Sequence, residues 1–325
     1  MDKKLVDEIY NYEWKNKFLY STYDNEKTRD GIIYDFKKSA RLEKLLDKDL
    51  SFFNTNEIDD LAKSLNPSTE NSLRRILTYF QSYTDWCMDR GLRGEYENGI
   101  NDFRIFISTQ DLGAYVSNIK FVNQFITKDQ LEEIKKNLIN PMDAAIIQAL
   151  WEGISGEGLH EIRSIDINVN LKGNKLKVFD KDGSSRDVII SNGLVKLLHE
   201  ADDELEYVLE NGQGKRGQVR KFEDSNFVFK PQKNKNSRAN DILNEKIMVN
   251  KMTAIKRYTG FHFITPKSIV SSGAMHKVEK WTKDAGLSEP TIEIFHKLHE
   301  PDGYNMSLAQ SFKLREKYDE LTKRR

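Results

Sequence analysis

From Ser68 to Arg90 the chain runs without a glycine or a proline. Apolar residues recur through that stretch every three or four positions, at Leu73, Ile76, Leu77, Phe80 and Tyr83 or Trp86. Strands alternate every second residue, so this spacing predicts an amphipathic helix with one buried face. Asn66–Pro67 opens it, Ser68 or Thr69 can cap its first amides, and Gly91 and Gly94 end it. Upstream, aromatics at Tyr10, Tyr12, Trp14, Phe18, Tyr20, Tyr23, Tyr34 and Phe36 are too regular for a tail. They read as helices packed on a neighbouring domain. Further helices are expected over 100–107 and 110–123.

The second half changes character. Thr127 and Gln130 form a capping box ahead of Leu131, Ile134 and Leu138, and Asn140–Pro141 starts a helix through Ala144, Ile147 and Leu150. Residues 166–194 then alternate polar and apolar around Gly173 and Gly183, which predicts a small antiparallel sheet with a turn at Asp182–Gly183. A helix is expected over 193–209. The stretch 210–240 is loop-rich, with Phe227–Phe229 as its strand candidate. Helices follow over about 240–258, 266–284 and 290–299, and Ser307 with Gln310 caps a last one through Phe312, Leu314 and Leu321. The expected fold class is mainly α with a small antiparallel β-sheet. The expected domains are an N-terminal helical segment (1–45), a helical domain (46–124) and a mixed domain (125–325).

Of the 325 residues, 51 are Lys or Arg and 51 are Asp or Glu, so the chain is neutral overall. The charge is nonetheless segregated: residues 211–283 hold sixteen basic and five acidic residues. A local excess of that kind calls for a bound polyanion or a compensating acidic surface. One cysteine, Cys87, precludes an intrachain disulfide and reads as a small buried hydrophobe. No apolar run is long enough for a membrane span and the N-terminus lacks a secretory segment, so a cytoplasmic location is expected. The histidines are scattered, and His296 with His299 reads as a surface or half-buried pair. There is no Walker loop, and the glycines of 153–158 lack a preceding buried strand. No metal or cofactor is expected.

The stretch Thr265–His276, TPKSIVSSGAMH, resembles the helix of tyrosine recombinases (phage integrases) that starts near a Pro and reads His-x-Leu-Arg-His-Thr-x-Ala. Here Lys267 stands at the first histidine, Val270 at the arginine and Ser271 at the second histidine. Residues 68–91 resemble that family's core-binding helix, and 127–210 the start of its catalytic domain. Glu161, Ile162 and Ile165 match the helix that follows its first catalytic arginine, which puts Gly158 on the arginine position. The family's hairpin lysine falls near Lys181, with Arg186 close by. The resemblance covers roughly residues 50–320. Along the whole chain it extends to the recombinase-fold repressors of SPβ-like prophages.

That resemblance implies a C-shaped clamp on double-stranded DNA, with the cutting chemistry removed. Strand cleavage needs two arginines on the scissile phosphate, acid–base groups and an attacking tyrosine. Gly158 and Val270 supply no charge, and a protonated lysine at Lys267 is a poor base near neutrality. Tyr304 and Tyr318 are the tyrosines available near the C-terminus, and neither sits in a sequence like the family's nucleophile helix. Grip on a duplex asks only for cations. The expected contacts are Arg74, Arg75, Lys181, Arg186, Lys215, Arg216, Arg220, Lys221, Lys233, Lys235, Arg238, Lys256, Arg257 and Lys267. Gln232, Asn234, Asn236 and Arg238 carry groups suited to base edges. The implied role is a repressor at phage operator sites on the bacterial nucleoid, relieved by an inducer or antagonist protein. Two alternatives stay open: an active recombinase that uses other arginines, Arg163 first among them, and an interaction scaffold whose basic stretch meets an acidic partner.

Overall fold

The computed structural model describes residues 8–67, 69–93, 100–213, 218–234, 238–300, 304 and 306–324, with the side chains of 118 and 119 left aside. Two compact units divide the chain, Met1–Phe121 and Val122–Arg325.

The first unit is helical: α1 (Tyr12–Thr22), α2 (Glu26–Leu46), α3 (Thr55–Leu65), α4 (Glu70–Asp89) and α5 (Asp102–Thr109). Helix α4 realises the predicted amphipathic pattern, and Thr69 caps it by accepting from the Ser72 amide at 3.1 Å; Ser68 lies outside the described residues. Leu73, Ile76, Leu77, Phe80, Tyr83 and Cys87 are its buried face. Phe18, Phe36, Phe103 and Phe106 close over that face from α1, α2 and α5. The rings interlock, with Phe36 stacked on Phe80 at 5.8 Å and edge-on to Tyr83 at 5.3 Å. Burial pushes the Cys87 thiol up to about 12, so it packs as an inert hydrophobe. Inside the same core Lys15 pairs with Glu43, both side chains almost wholly buried. Glu43 also accepts from the Leu50 amide and the Ser39 hydroxyl, so the charge it carries is solvated by the protein.

The continuous helix expected over 110–123 is instead a 3₁₀ turn at Leu112–Tyr115 and a short helix α6 (Asn118–Asn123). The Asp111 carboxylate accepts from the Gly113 amide at 3.0 Å, a local bond that competes with helical pairing.

The second unit is built on α8 (Pro141–Trp151), whose residues Met142 to Trp151 are all buried. A helix apolar on every side must be surrounded. Its neighbours are α7 (Lys128–Lys136), α11 (Asn192–Asp202) and α13 (Pro266–Asp284). Thr127 and Gln130 cap α7 reciprocally, as expected. Between α8 and α11 lie the short helices α9 (His160–Arg163) and α10 (Ile167–Asn170). They precede a three-stranded antiparallel sheet of β1 (Leu171–Lys172), β2 (Lys175–Phe179) and β3 (Ser185–Ile189). Leu176 opposite Val188 fills its inner face, and Gly183 takes the left-handed turn between β2 and β3.

Two expectations for the middle of this unit need correction. Helix α11 stops at Asp202, and Glu206–Val208 forms a strand, β4, paired with β5 (Val219–Lys221). Phe227–Phe229 is not a strand: the Val228 amide donates to Ile165 O at 2.9 Å, and Val228 and Phe229 plug the core. The unit closes with α12 (Glu245–Thr259), α13 over the predicted bounds, α14 (Ile292–His296) and α15 (Leu308–Arg324). Ser307 and Gln310 cap α15 through both reciprocal bonds.

Candidate nucleic-acid interface

The segment joining α8 to α9 determines what the second unit can do. Gly153, Gly156, Gly158 and Leu159 all take left-handed backbone there, with φ between 60° and 86°. At Gly158, which the sequence resemblance puts on the family's first arginine, an added Cβ would lie 2.5 Å from the Glu245 carboxylate. A side chain there would have to take a left-handed backbone and displace the exposed Glu245 carboxylate. Arg163 does not substitute. Its Nε donates to Gly158 O at 3.0 Å and its Nη1 to Leu243 O at 2.8 Å, so it staples the turn to the chain before α12.

Beside this turn lies a cavity of about 520 Å³. The start of α13 contributes Lys267, Val270 and Ser271, all three of the positions read from the family helix. From β3 comes Arg186, which grips the buried Glu161 through Nε at 2.7 Å and Nη2 at 2.8 Å and also donates to Gly153 O. Expected as a phosphate contact, Arg186 has most of its charge answered inside the protein. Lys181, on the hairpin turn, reaches Glu157 at 2.9 Å, and this bond raises its pKa further.

Tyr304 lines the cavity too, but its hydroxyl donates to the main-chain carbonyl of Trp151. Burial raises the phenol well above the ordinary tyrosine range. Two glycines hold it there. A Cβ at Gly153 would meet the Tyr304 ring at 2.4 Å, and one at Gly273 would meet Trp151 O at 1.9 Å and the Tyr304 hydroxyl at 2.6 Å. Tyr318 lies on another face of α15, packed edge-on against Phe295 at 5.8 Å. His296 packs edge-on against Phe312 and His299 bonds Met306 O, so the two are not poised as a ligand pair. Among the described residues no cluster could hold a metal ion.

Sequence reasoning missed Lys313 and Lys317. Both line the cavity from α15, one turn apart beside the buried Leu314. The available signal was a like-charged i,i+4 pair next to an apolar stripe, which costs an isolated helix stability.

The remaining expected contacts fall into groups. Arg220 and Lys221 lie exposed on β5, and Lys233 pairs back onto this strand through its amide to Lys221 O at 2.8 Å. These three cations therefore share one ribbon. Arg238 is exposed nearby in sequence. Lys256 and Arg257 occupy the last turn of α12, where Arg257 is 3.9 Å from Glu210. In the first unit Arg74 pairs with Glu70 at 2.8 Å and Arg75 with Asp35 at 3.3 Å. Lys215, Arg216, Lys235 and Asn236 lie outside the described residues. Among the described residues no helix is long and apolar enough to cross a membrane.

A helical unit ahead of a unit with a three-stranded sheet, a β2–β3 hairpin and a cavity at the start of α13 has the architecture of a tyrosine recombinase, core-binding domain first and catalytic-like domain second. The chain belongs to the MrpR family: residues 9–89 match its N-terminal core-binding domain and residues 125–317 its C-terminal catalytic domain. It is 26% identical over 294 residues to the SPbeta prophage-derived uncharacterized protein YopR of Bacillus subtilis (strain 168), covering 87% of this chain and 86% of that one. Among solved structures it is similar to XerA recombinase, at 13% identity and TM-score 0.40 over 96% of this chain and 98% of that one. It is also similar to a lambda integrase (75–356) dimer bound to a core site, at 11% identity and TM-score 0.49 over 94% of each chain.

Proposed function

We propose that the protein binds double-stranded DNA at prophage operator sites, represses transcription there and leaves the strands intact. The observation that carries this reading is the cavity where cleavage chemistry would sit. Gly158 faces the Glu245 carboxylate, Val270 is apolar, and the Tyr304 hydroxyl is engaged with Trp151 O. One missing charged donor of the oxyanion-hole kind costs about 3 kcal/mol of transition-state stabilisation, and here two positions lack it. Binding is under no such constraint, since each phosphate neutralised by Lys or Arg releases counterions whatever the base sequence.

The ribbon carrying Arg220, Lys221 and Lys233, the α12 end with Lys256 and Arg257, and Arg74 and Arg75 on α4 supply the cations. Kinship with a prophage protein supports the lysogenic setting, and release would then fall to an inducer or antagonist protein. Footprinting across the source genome tests the reading. Protected sites are expected, with affinity falling steeply as salt rises and no covalent adduct on a suicide substrate. An adduct would restore a cutting enzyme. Absence of any footprint at moderate salt would favour a scaffold with an acidic protein partner.

A further inference from the structure

Away from the cavity, the second unit buries a polar cluster around Asp143, in the first turn of α8. One carboxylate oxygen accepts from the Tyr207 hydroxyl of β4 at 2.6 Å, and the other from Nζ of Lys251 on α12 at 2.9 Å. The same Nζ lies 3.7 Å from the centre of the Tyr207 ring. Asp143 is 1% exposed, Tyr207 6% and Lys251 7%, so water screens these contacts little. Burial and the Asp143 charge raise the Tyr207 phenol above the ordinary tyrosine range, which keeps it a donor. Two asparagines complete the seat. The Asn140 side chain pairs with the amide and the carbonyl of Val208, at 2.8 and 3.0 Å, as a neighbouring strand would. The Asn211 side chain accepts from the Ile139 amide and donates to Asn137 O.

What this seat holds carries the cations of the second unit. Strand β4 is pinned to it, and β4 pairs with β5, whose three residues are all exposed. A two-stranded ribbon is marginal in water on its own. The placement of Arg220 and Lys221 on β5, and of Lys233 bonded to it, therefore follows from where β4 is fixed. Phe222, next after β5, packs edge-on against the Tyr207 ring at 6.1 Å. On the other arm, Lys251 fixes α12, whose last turn carries Lys256 and Arg257. An apolar cluster of the same volume would stabilise the unit as well or better; what a hydrogen-bonded ion pair adds is one defined geometry. We infer that Asp143 is a positioning residue: through Tyr207 and Lys251 it holds the β4–β5 ribbon and the end of α12 in one arrangement, so that their cations engage a single duplex backbone together. The DNA half of this inference rests on the proposed function, and the anchoring half on the cluster alone.

Asp143→Asn alone is a poor probe, because it leaves Lys251 buried without a counter-charge and lowers folding stability first. Two other variants of the full chain separate position from stability. Tyr207→Phe removes one hydroxyl and keeps the ring. The triple variant Asp143→Leu/Tyr207→Phe/Lys251→Met replaces the cluster by apolar groups of similar volume and should melt at or above the wild-type temperature. Each is compared with wild type by hydrogen–deuterium exchange of peptides covering β4 and β5, and by duplex binding across a salt series, on a footprinted site or a random duplex if none is found. The ribbon amides should exchange roughly tenfold faster in both variants while the rest of the unit stays protected. Duplex affinity should fall by about three- to tenfold, the worth of one net hydrogen bond. Its salt dependence should become shallower as fewer phosphates are engaged at once. A folded triple variant with wild-type exchange, affinity and salt slope overturns the inference. So does faster ribbon exchange with unchanged affinity and slope, because the ribbon is then not held in place for DNA. A wild-type chain that binds no duplex refutes the repressor reading instead, and the exchange comparison then decides the anchoring by itself.

Discussion

Glycine-to-alanine substitution should have opposite consequences at two helical positions. In α2, Gly31 has no heavy atom within 4 Å of where a Cβ would sit. Alanine there adds helix propensity and restricts the unfolded chain, so Gly31→Ala should stabilise by about 0.5–1 kcal/mol. In α13 the same methyl at Gly273 meets Trp151 O at 1.9 Å, whereas ordinary contact begins at 3.4 Å. The obstacle is the backbone of α8, which cannot rotate away, so the helices must part by roughly 1.5 Å or distort. Overpacking of that kind costs about 1–3 kcal/mol. Loss of the Tyr304 hydrogen bond to the same carbonyl adds a further ~1–3 kcal/mol if the carbonyl stays buried. Gly273→Ala should therefore lose about 2–6 kcal/mol, or about 4–24 °C for a unit of this size. Denaturant unfolding followed by tryptophan fluorescence and by circular dichroism reads both variants. Because α13 also presents Lys267 and Val270 to the cavity, duplex affinity should fall with stability in the Gly273 variant alone. A Gly273→Ala protein that melts with the wild type, or both variants shifting in the same direction, refutes the close-approach argument.

Three further outcomes are expected. Lys15→Met removes one half of the buried Lys15–Glu43 pair and should cost about 3–5 kcal/mol in chemical denaturation, because Glu43 is left without its counter-charge. Burial, aided by the nearby Asp143, pushes Glu204 up to about 7 from an ordinary value of 4.5, against the pull of the Met142 amide. The folded state therefore holds a proton that the unfolded chain has released. This group's contribution is most favourable below pH 4.5, declines as pH rises towards 7 and is level above; Glu204→Gln should flatten that slope in melts taken across the range. Replacing Arg220, Lys221 and Lys233 one at a time by Gln should each lower the slope of log affinity against log salt by about one for every phosphate that is no longer neutralised. A slope left intact in all three would remove the β5 ribbon from the interface.

Local signals carried most of the helical reading. The bounds of α13 follow from Thr265 and Pro266, and the boxes at Thr127–Gln130 and Ser307–Gln310 depend on residues three apart. The β2–β3 hairpin was legible because Gly183 sits between two alternating runs. What escaped was non-local. Strand β4 continues directly from a helical pattern and pairs with β5 across a long excursion, so no short window contains both partners. Phe227–Phe229 has strand composition but is fixed by the Val228 amide bond to Ile165, a Phe227 amide bond to the Ser225 hydroxyl, and burial of Val228 and Phe229. Of the cavity, the positions matched to a family helix, Lys267 and Val270 among them, and Arg186 and Tyr304 were legible in the chain. Lys313 and Lys317 join them only through the packing of α15 against α13, a tertiary fact that charge spacing along one helix does not encode.

The carboxylate facing Gly158 also sets how this chain could change over generations. Introducing Gly158→Arg by itself would put a side chain on a left-handed backbone and make the Glu245 carboxylate move aside, at a cost in stability. A route to strand scission would have to clear position 245, relax the Gly156–Leu159 turn, refit Val270 and free a phenol now tied to Trp151, with little reward until the last step. On the proposed reading, several coordinated codon changes separate the protein from nuclease chemistry. Point mutation alone is a poor path across that gap, which makes binding without breakage a durable state for any genome that relies on it.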